Sequence, residues 1–214
     1  FLEDANKSTS LQDNGKVALS SEQVETIYNL PLKDRAQREV RDMFIFQCLT
    51  SLRASNILGA DFTKHKGNRQ FEVVQVKEKG SFNQVVSLDL DPKIETILER
   101  NDWKFKDLDL QTYNKIIEAI IKQTPFANDT ITIKTKLASG KIKTTETPLY
   151  KAIRSHSGRR TFITEMRSNP NIQDRDLVQF TGHANIELLA IYDKTSKQTS
   201  VNNILQAKGK AERS

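Results

Sequence analysis

The spacing of apolar residues constrains this chain most, because it follows a helical period over most of the sequence and alternates in only two places. Helical spacing predicts helices over the approximate ranges 20–30, 33–50, 92–100, 109–122, 156–168, 172–181 and 186–191. The predicted fold class is therefore mainly α with small antiparallel β-hairpins (α+β). Strands and helices do not alternate, and no glycine-rich phosphate loop occurs, which argues against a nucleotide-binding fold.

The first two predicted helices lead the chain towards an arginine. Ser20 or Ser21 can cap the first helix, and Gln23 is placed for a capping box with Ser20. The second helix, from about residue 33 to 50, has an apolar stripe formed by Ala36, Val40, Met43, Phe44, Cys48 and Leu49. Its basic residues are expected on the other faces, namely Arg35, Arg38 and Arg41. Arg53 follows at the start of a short helix, where a phosphate could bind.

The two regions of alternating spacing each predict a β-hairpin. In the first, an apolar segment beginning at Phe71 is joined to another that ends at Leu88 through a basic loop over residues 77–84. In the second, residues 131–135 pair with residues 142–145.

Composition limits the kind of protein and its compartment. A formal net charge of +6 and a pI near 9.3 favour a polyanionic partner. No stretch of eighteen apolar residues or signal sequence is present, and a single cysteine, Cys48, lies in an apolar pattern. We therefore expect a buried structural thiol and a protein without a membrane partner that works in a reducing, intracellular location.

The two ends of the chain differ from its middle. Residues 1–19 are polar and read as a linker or a boundary segment, and the start at Phe1 suggests a fragment of a longer protein. Residues 196–214 contain an amphipathic segment with Val201, Ile204 and Leu205, followed by a polar, basic tail.

A histidine and an arginine three residues apart suggest a phosphate site. His156 and Arg159 would share one helical face, so that both side chains can point at one anionic group. Later in the chain, Gly182-His183 offers a second imidazole, and Tyr192 offers a nucleophile. Each of these residues taken singly also has an ordinary explanation as a cap, a surface residue or a core residue.

The order of these motifs resembles that of the tyrosine recombinases, or phage-type integrases. The matching boxes run in the family's order over about residues 20–195: Thr50-Ser51-Leu52-Arg53, a hairpin lysine at Lys79, His156-Ser157-Gly158-Arg159, Gly182-His183 and Tyr192. The sequence around His156 is similar to integrases of mobile elements from Bacteroides-type bacteria. The resemblance implies the tyrosine recombinase catalytic-domain fold over residues 20–195, with the N-terminal DNA-binding domain of the family absent.

The resemblance also implies a catalytic role for each matched residue. Tyr192 would attack a DNA phosphate to form a 3′-phosphotyrosyl link. Arg53, Arg159 and one or both of His156 and His183 would stabilise the transition state, and Lys79 would protonate the leaving 5′-oxygen. Counting forward from Arg53 leaves Lys77 as an alternative to Lys79. The chain departs from the family at Asn56, where a glutamate or aspartate is usual.

The same resemblance implies the partners and leaves two rival functions open. It implies double-stranded DNA, a homotetramer on two DNA sites, accessory DNA-bending proteins in some systems, a location in the bacterial cytoplasm at the nucleoid, and no cofactor or metal. The segment over 196–214 would either dock on a neighbouring protomer or pack in cis against its own protomer. The alternatives are DNA relaxation of the type IB topoisomerase kind and a non-catalytic DNA-binding module.

Overall fold

Several of the described helices pack against one long helix. The computed structural model describes residues 12–13, 17–77, 80–136 and 139–182. The α-helices in this part are α1 (Ser21–Tyr28), α2 (Arg35–Thr50), α3 (Pro92–Arg100), α4 (Leu110–Ile121), α5 (Leu149–Ala152), α6 (Ser155–Ser168) and α7 (Asp174–Thr181). Short 3-10 helices cover Ala54–Asn56, Thr63–His65 and Leu88–Leu90. The strands are β1 (Gln12–Asp13), β2 (Gln70–Lys77), β3 (Gly80–Ser87), β4 (Thr130–Lys136) and β5 (Ile142–Pro148).

The helix starts follow from local capping chemistry. Ser20 and Gln23 form the predicted capping box, with a 3.1 Å bond from the Gln23 amide to the Ser20 hydroxyl and a 3.0 Å bond in return. Asp34 caps α2 by accepting from the Gln37 amide at 2.8 Å. Pro92 occupies the first turn of α3, where its missing N–H is not needed. The predicted mainly α fold with small antiparallel hairpins is confirmed.

The core lies around α2, which packs against α1, α3, α4 and α6. Cys48 is buried there as a structural thiol, and burial raises its pKa. The prediction that Arg41 lies off the buried face is wrong, because this residue is only 6% exposed. Its charge is met by buried Asp42 at 3.1 Å, which also accepts from Arg100 at 2.7 Å. An arginine paired in this way can enter a core that its charge alone would exclude it from.

The first hairpin is tighter than predicted. Strands β2 and β3 pair in antiparallel register from Gln70 opposite Ser87 to Lys77 opposite Gly80, so only two residues separate them. The basic loop expected over 77–84 is thus mostly strand. The alternating apolar pattern missed this part of β3 because Gln84 is polar. Its side chain is nevertheless buried, and its amide donates to the Thr50 carbonyl.

The second hairpin is confirmed as β4 and β5, and β1 adds a third strand along β4. This strand and the buried side chains of Val17 and Leu19 lie within the segment that the sequence predicts to be a linker. The short helix α5 was not predicted. The helix expected over 186–191 and the segment 196–214 lie outside the described residues. Of the helices that the structure describes, none has the length and apolar character needed to cross a bilayer.

Candidate active site

The candidate site is centred on the turn that follows α2, residues 50–53, which we call the arginine turn. Ser51 adopts a left-handed conformation with φ of 62° and ends α2 by donating its amide to the Gln47 carbonyl at 2.9 Å. Arg53 then has an extended backbone and precedes the 3-10 helix Ala54–Asn56. The chain reverses sharply here, which leaves the carbonyls of the turn without helical partners.

Three consecutive carbonyls of the arginine turn are bonded by buried side chains from three different elements. The bonds are Gln84 Nε2 to the Thr50 oxygen at 2.6 Å, Arg159 Nη1 to the Ser51 oxygen at 2.8 Å and Gln47 Nε2 to the Leu52 oxygen at 3.1 Å. Because buried carbonyls are costly to leave unbonded, these donors hold the turn in one conformation. Arg53 is therefore presented from a backbone fixed by β3, α6 and α2.

Arg159 joins the arginine turn to the end of α7. It is 2% exposed, and its second terminal nitrogen donates to the Thr181 carbonyl at 2.7 Å. Ser51 ends α2, and Thr181 is the last residue of α7, so the guanidinium lies at two helix C-termini. The partial negative charge at helix C-termini helps to offset the cost of burying this cation.

Gly158 allows α6 to approach α2 closely. A Cβ atom at this position would lie 2.8 Å from Gln47 Cβ and 3.5 Å from the Cys48 amide nitrogen. The glycine in the His-Ser-Gly-Arg box thus has a packing function, since the close approach brings Arg159 to the Ser51 carbonyl.

His156 is one of the residues that line a pocket of about 330 Å³ beside α6. The pocket is lined by Ile133, Lys151, Ala152, Arg154, His156, Ser157 and Arg160, and none of these described lining residues is acidic. Part of the His156 side chain is open to solvent, and the rest is surrounded by protein atoms. This partial burial is the largest cause that lowers its pKa to about 4, followed by the charges of Arg160, Arg159 and Arg53. The imidazole is therefore neutral at pH 7 in a site that attracts anions.

The first hairpin lies against both the arginine turn and the end of α7. Asn56 donates its side-chain amide to the Val74 carbonyl of β2 at 3.0 Å. Phe82 of β3 contacts Gly182, where an added Cβ would lie 2.6 Å from the ring Cε1 atom and where φ is 65°. The hairpin that carries the predicted lysine is thereby placed beside the other boxes.

The structure brings some of the predicted site residues together and leaves the others undescribed. The charges of Arg53 and Arg159 both act on His156, so these three residues share one site. Lys79, His183 and Tyr192 lie outside the described residues, and for Lys77 only the backbone is described. The sequence interpretation missed Gln47 and Gln84, which carried no local signal. Within residues 17–77, 80–136 and 139–182, no cluster of three or more acidic, histidine or cysteine side chains could hold a metal ion.

A comparison with known protein families found one match. The phage integrase family matches residues 18–199 of the chain. No curated protein matches it.

Solved structures similar to the chain include the Tn1549 transposon integrase in complex with circular intermediate DNA, at 15% identity and a TM-score of 0.57 over 88% of this chain and 64% of that one. The XerA recombinase is similar at 16% identity and a TM-score of 0.55, with 89% and 65% covered. XerH recombinase bound to its difH substrate is similar at 14% identity and a TM-score of 0.53, with 82% and 49% covered. The chain thus spans less than two thirds of the length of these structures.

Proposed function

Because the chain belongs to the phage integrase family, whose members are tyrosine recombinases, we propose that it is the catalytic domain of a site-specific DNA recombinase or integrase. Its substrate is double-stranded DNA, which it cleaves and rejoins through a covalent link to Tyr192. The DNA-bound forms of the Tn1549 integrase and XerH support this choice of substrate. So do the net charge of +6 and the cationic pocket beside His156.

The observation that carries the proposal is the position of Arg159. One buried guanidinium bonds the Ser51 carbonyl, two residues before Arg53, and the Thr181 carbonyl, two residues before His183. It thereby connects three boxes of the family pattern that lie far apart in sequence. A shared active site would require such a connection between the boxes, and the position of Arg159 supports the proposal in this way.

The reaction is a transesterification that conserves the number of phosphate ester bonds. The Tyr192 oxygen attacks phosphorus, a tyrosyl ester forms at the 3′ side, and the bond to the 5′-oxygen breaks. The phenolic proton passes to a neutral imidazole, His156 or His183, and a hairpin lysine, Lys79 or Lys77, protonates the 5′-oxygen. In the reverse reaction, a 5′-hydroxyl from a second duplex attacks the tyrosyl ester and yields strand exchange. These ester exchanges and proton transfers require no cofactor or metal.

The cationic side chains stabilise charge that develops on the phosphate. Arg53 and Arg159 carry permanent charges that suit the non-bridging oxygens. Neutral His156 can donate a hydrogen bond to the same oxygens or accept a proton. As a phosphate neutralises the surrounding guanidinium groups, the pKa of His156 rises, because three of the four causes that lower it are positive charges.

The assembly and location follow from the family in the same way. We expect a homotetramer on two DNA sites, with the segment over 196–214 docked on a neighbouring protomer and with accessory DNA-bending proteins in some reactions. Residues 20–195 form the catalytic domain, and a further DNA-binding domain would extend the grip on the duplex. A bacterial cytoplasm, at the nucleoid, is the location where such a substrate is found.

A covalent adduct tests the proposal directly. The chain is incubated with a pool of nicked suicide duplexes with randomised flanks, and we expect a protein–DNA adduct that survives denaturant. Tyr192→Phe should abolish the adduct and leave DNA binding within about twofold, because only the nucleophilic oxygen is lost. Tyr28→Phe, in a ring packed by Lys93 and Arg100 on α3, is the matched control and should form the adduct normally.

Three other outcomes would each contradict a part of the proposal. An adduct that persists in Tyr192→Phe would remove this residue from its role. DNA binding without an adduct in the unchanged chain would indicate a non-catalytic DNA-binding module. Relaxation of supercoils without joint products between two duplexes would indicate the topoisomerase reaction.

A further inference from the structure

Two side-chain amides connect the first hairpin to the chain around Arg53, at Thr50 before it and at Asn56 after it. We propose that Asn56 and Gln84 are positioning residues that fix the first hairpin, to which the proposed general acid belongs, relative to Arg53. This inference rests on the proposed recombinase function. It makes the Asn56 side chain a hydrogen-bond donor, whereas an ionised carboxylate can only accept.

The Asn56 amide makes a bond that an ionised carboxylate cannot make. Its Nδ2 donates to the Val74 carbonyl at 3.0 Å. Strand β2 has β3 on one side only, so outward-facing carbonyls on its other edge need donors from elsewhere. An aspartate or glutamate at this position would place an acceptor against an acceptor. The asparagine therefore supplies a donor to this hairpin that a carboxylate could not supply.

The Gln84 amide makes the second attachment, from the inner face of the hairpin. Its Nε2 donates to the Thr50 carbonyl at 2.6 Å, and its oxygen accepts from the Gln75 amide. Both glutamine side chains are completely buried. A buried amide that makes both bonds has a single orientation, which fixes β3 against the end of α2.

The two attachments enclose Arg53 symmetrically in sequence. Thr50 lies three residues before Arg53, and Asn56 lies three residues after it. Asn56 attaches to β2, whereas Thr50 is attached to β3, so the hairpin is bound through both of its strands. A strand pair held at two points cannot pivot about either of them.

The attachments lie close enough to the hairpin tip to control it. The base of the hairpin is packed by Phe71, whose ring centre lies 5.4 Å from that of Phe62. Val74 lies three residues further along and three residues before the last residue of β2, Lys77. At about 3.3 Å per residue, the attachment is roughly 10 Å from the end of the strand. Without it, the outer half of the hairpin would be held from β3 alone.

The test compares two leaving groups in the full chain. Suicide duplexes selected from the randomised pool are made with either the natural 5′-oxygen or a 5′-bridging sulfur, a leaving group that needs no protonation. We expect Asn56→Asp to slow cleavage of the oxygen substrate about ten- to a hundredfold, the cost of a misplaced catalytic group. Cleavage of the sulfur substrate should stay within about twofold of the unchanged chain. Gln84→Leu also frees the Thr50 carbonyl of the arginine turn, so it should slow cleavage of both substrates and slow the oxygen substrate more.

A pH profile separates the lost donor from a general loss of structure. Protonated aspartate can donate a hydrogen bond through its O–H, and the ordinary pKa of aspartate is about 3.9. The defect of Asn56→Asp relative to Asn56→Ala should therefore shrink as the pH falls from about 6 towards 4. Asn83→Ala is the matched control, because Asn83 lies on the same hairpin but bonds Glu72 at 2.8 Å instead of the arginine turn.

Hydrogen exchange supplies a readout that does not depend on cleavage. Amides of β2 and β3 should exchange faster in Asn56→Asp than in Asn83→Ala, while amides of α4 remain unchanged. Equal slowing of the oxygen and sulfur substrates, or exchange equal to that of Asn83→Ala, would overturn the inference. If the unchanged chain forms no adduct, the proposed function fails, and the exchange result alone decides whether Asn56 and Gln84 hold the hairpin.

Discussion

Replacement of Gly158 by alanine tests how closely α2 and α6 must approach. The new Cβ would lie 2.8 Å from Gln47 Cβ, whereas carbon atoms in ordinary contact lie about 3.5–4.0 Å apart. Gln47 Cβ is attached directly to the backbone of α2 and cannot rotate away. The two helices must therefore separate by roughly 0.7–1.2 Å at this point to reach ordinary contact.

The expected magnitude is a balance of two effects. Overpacking a well-packed core costs about 1–3 kcal/mol. Alanine is a better helix former than glycine by roughly 0.5–1 kcal/mol, which offsets part of this cost. We expect Gly158→Ala to lower the free energy of unfolding by about 1 kcal/mol. The helix shift should also lengthen the 2.8 Å bond from Arg159 to the Ser51 carbonyl and so reduce adduct formation.

Urea denaturation measures the stability change, with the fluorescence of the single tryptophan, Trp103, as the signal. This residue is buried in the core formed around α2. A double-mutant cycle identifies the cause, because Gln47→Gly removes the atom that the new Cβ would meet. In that background Gly158→Ala should be neutral or stabilising by roughly the 0.5–1 kcal/mol of helix propensity.

Two results would refute the reasoning. If Gly158→Ala stabilises the unchanged chain, α6 does not approach α2 as closely as the structure indicates. If the loss is the same with and without Gln47→Gly, the cost comes from somewhere other than the contact between these two positions.

Two further predictions concern the polar groups of the site. Tyr113→Phe should lower the free energy of unfolding by about 1–2 kcal/mol, because it removes the 2.8 Å bond from the buried hydroxyl to Gln47 Oε1; in urea denaturation, a loss no larger than that of Tyr28→Phe would contradict this. The folded-state pKa of His156 is about 4, below its ordinary value of 6.5. Between these two pH values the unfolded chain binds more protons than the folded chain, so the free energy of unfolding should fall as the pH drops from 6.5 towards 4. DNA binding should raise this pKa, so that binding takes up protons between pH 4 and 6.5. Calorimetry in buffers of different ionisation enthalpy measures this uptake. Equal proton uptake by His156→Gln would assign the uptake to another group.

Features that depend on neighbouring residues were predictable from the sequence. The capping box of Ser20 and Gln23 and the start of α3 at Pro92 were correct because their partners lie within a few positions. The apolar face of α2 was largely correct for the same reason, since helical spacing alone places its residues on one side. The boxes with Arg53, His156 and Arg159 were recognisable as a family pattern, and the family match supports that interpretation.

Features that depend on distant partners were not predictable. Arg41 and Gln84 read as polar surface residues, yet both are buried. Gln84 donates to the distant Thr50 carbonyl, and Arg41 pairs with neighbouring Asp42, which also pairs with distant Arg100. The bond from Arg159 to Ser51 spans 108 positions, and the bond from Gln84 to Thr50 spans 34. No local period records such pairs.

Asn56 shows where sequence and structure divide. The sequence by itself indicated most of the described helices, both hairpins and the order of the boxes, and it identified Asn56 only as a position where a carboxylate is missing. The tertiary structure decided what the amide does, because a donor acquires a role only when an acceptor lies opposite it. That acceptor is the Val74 carbonyl, 18 positions away on the hairpin.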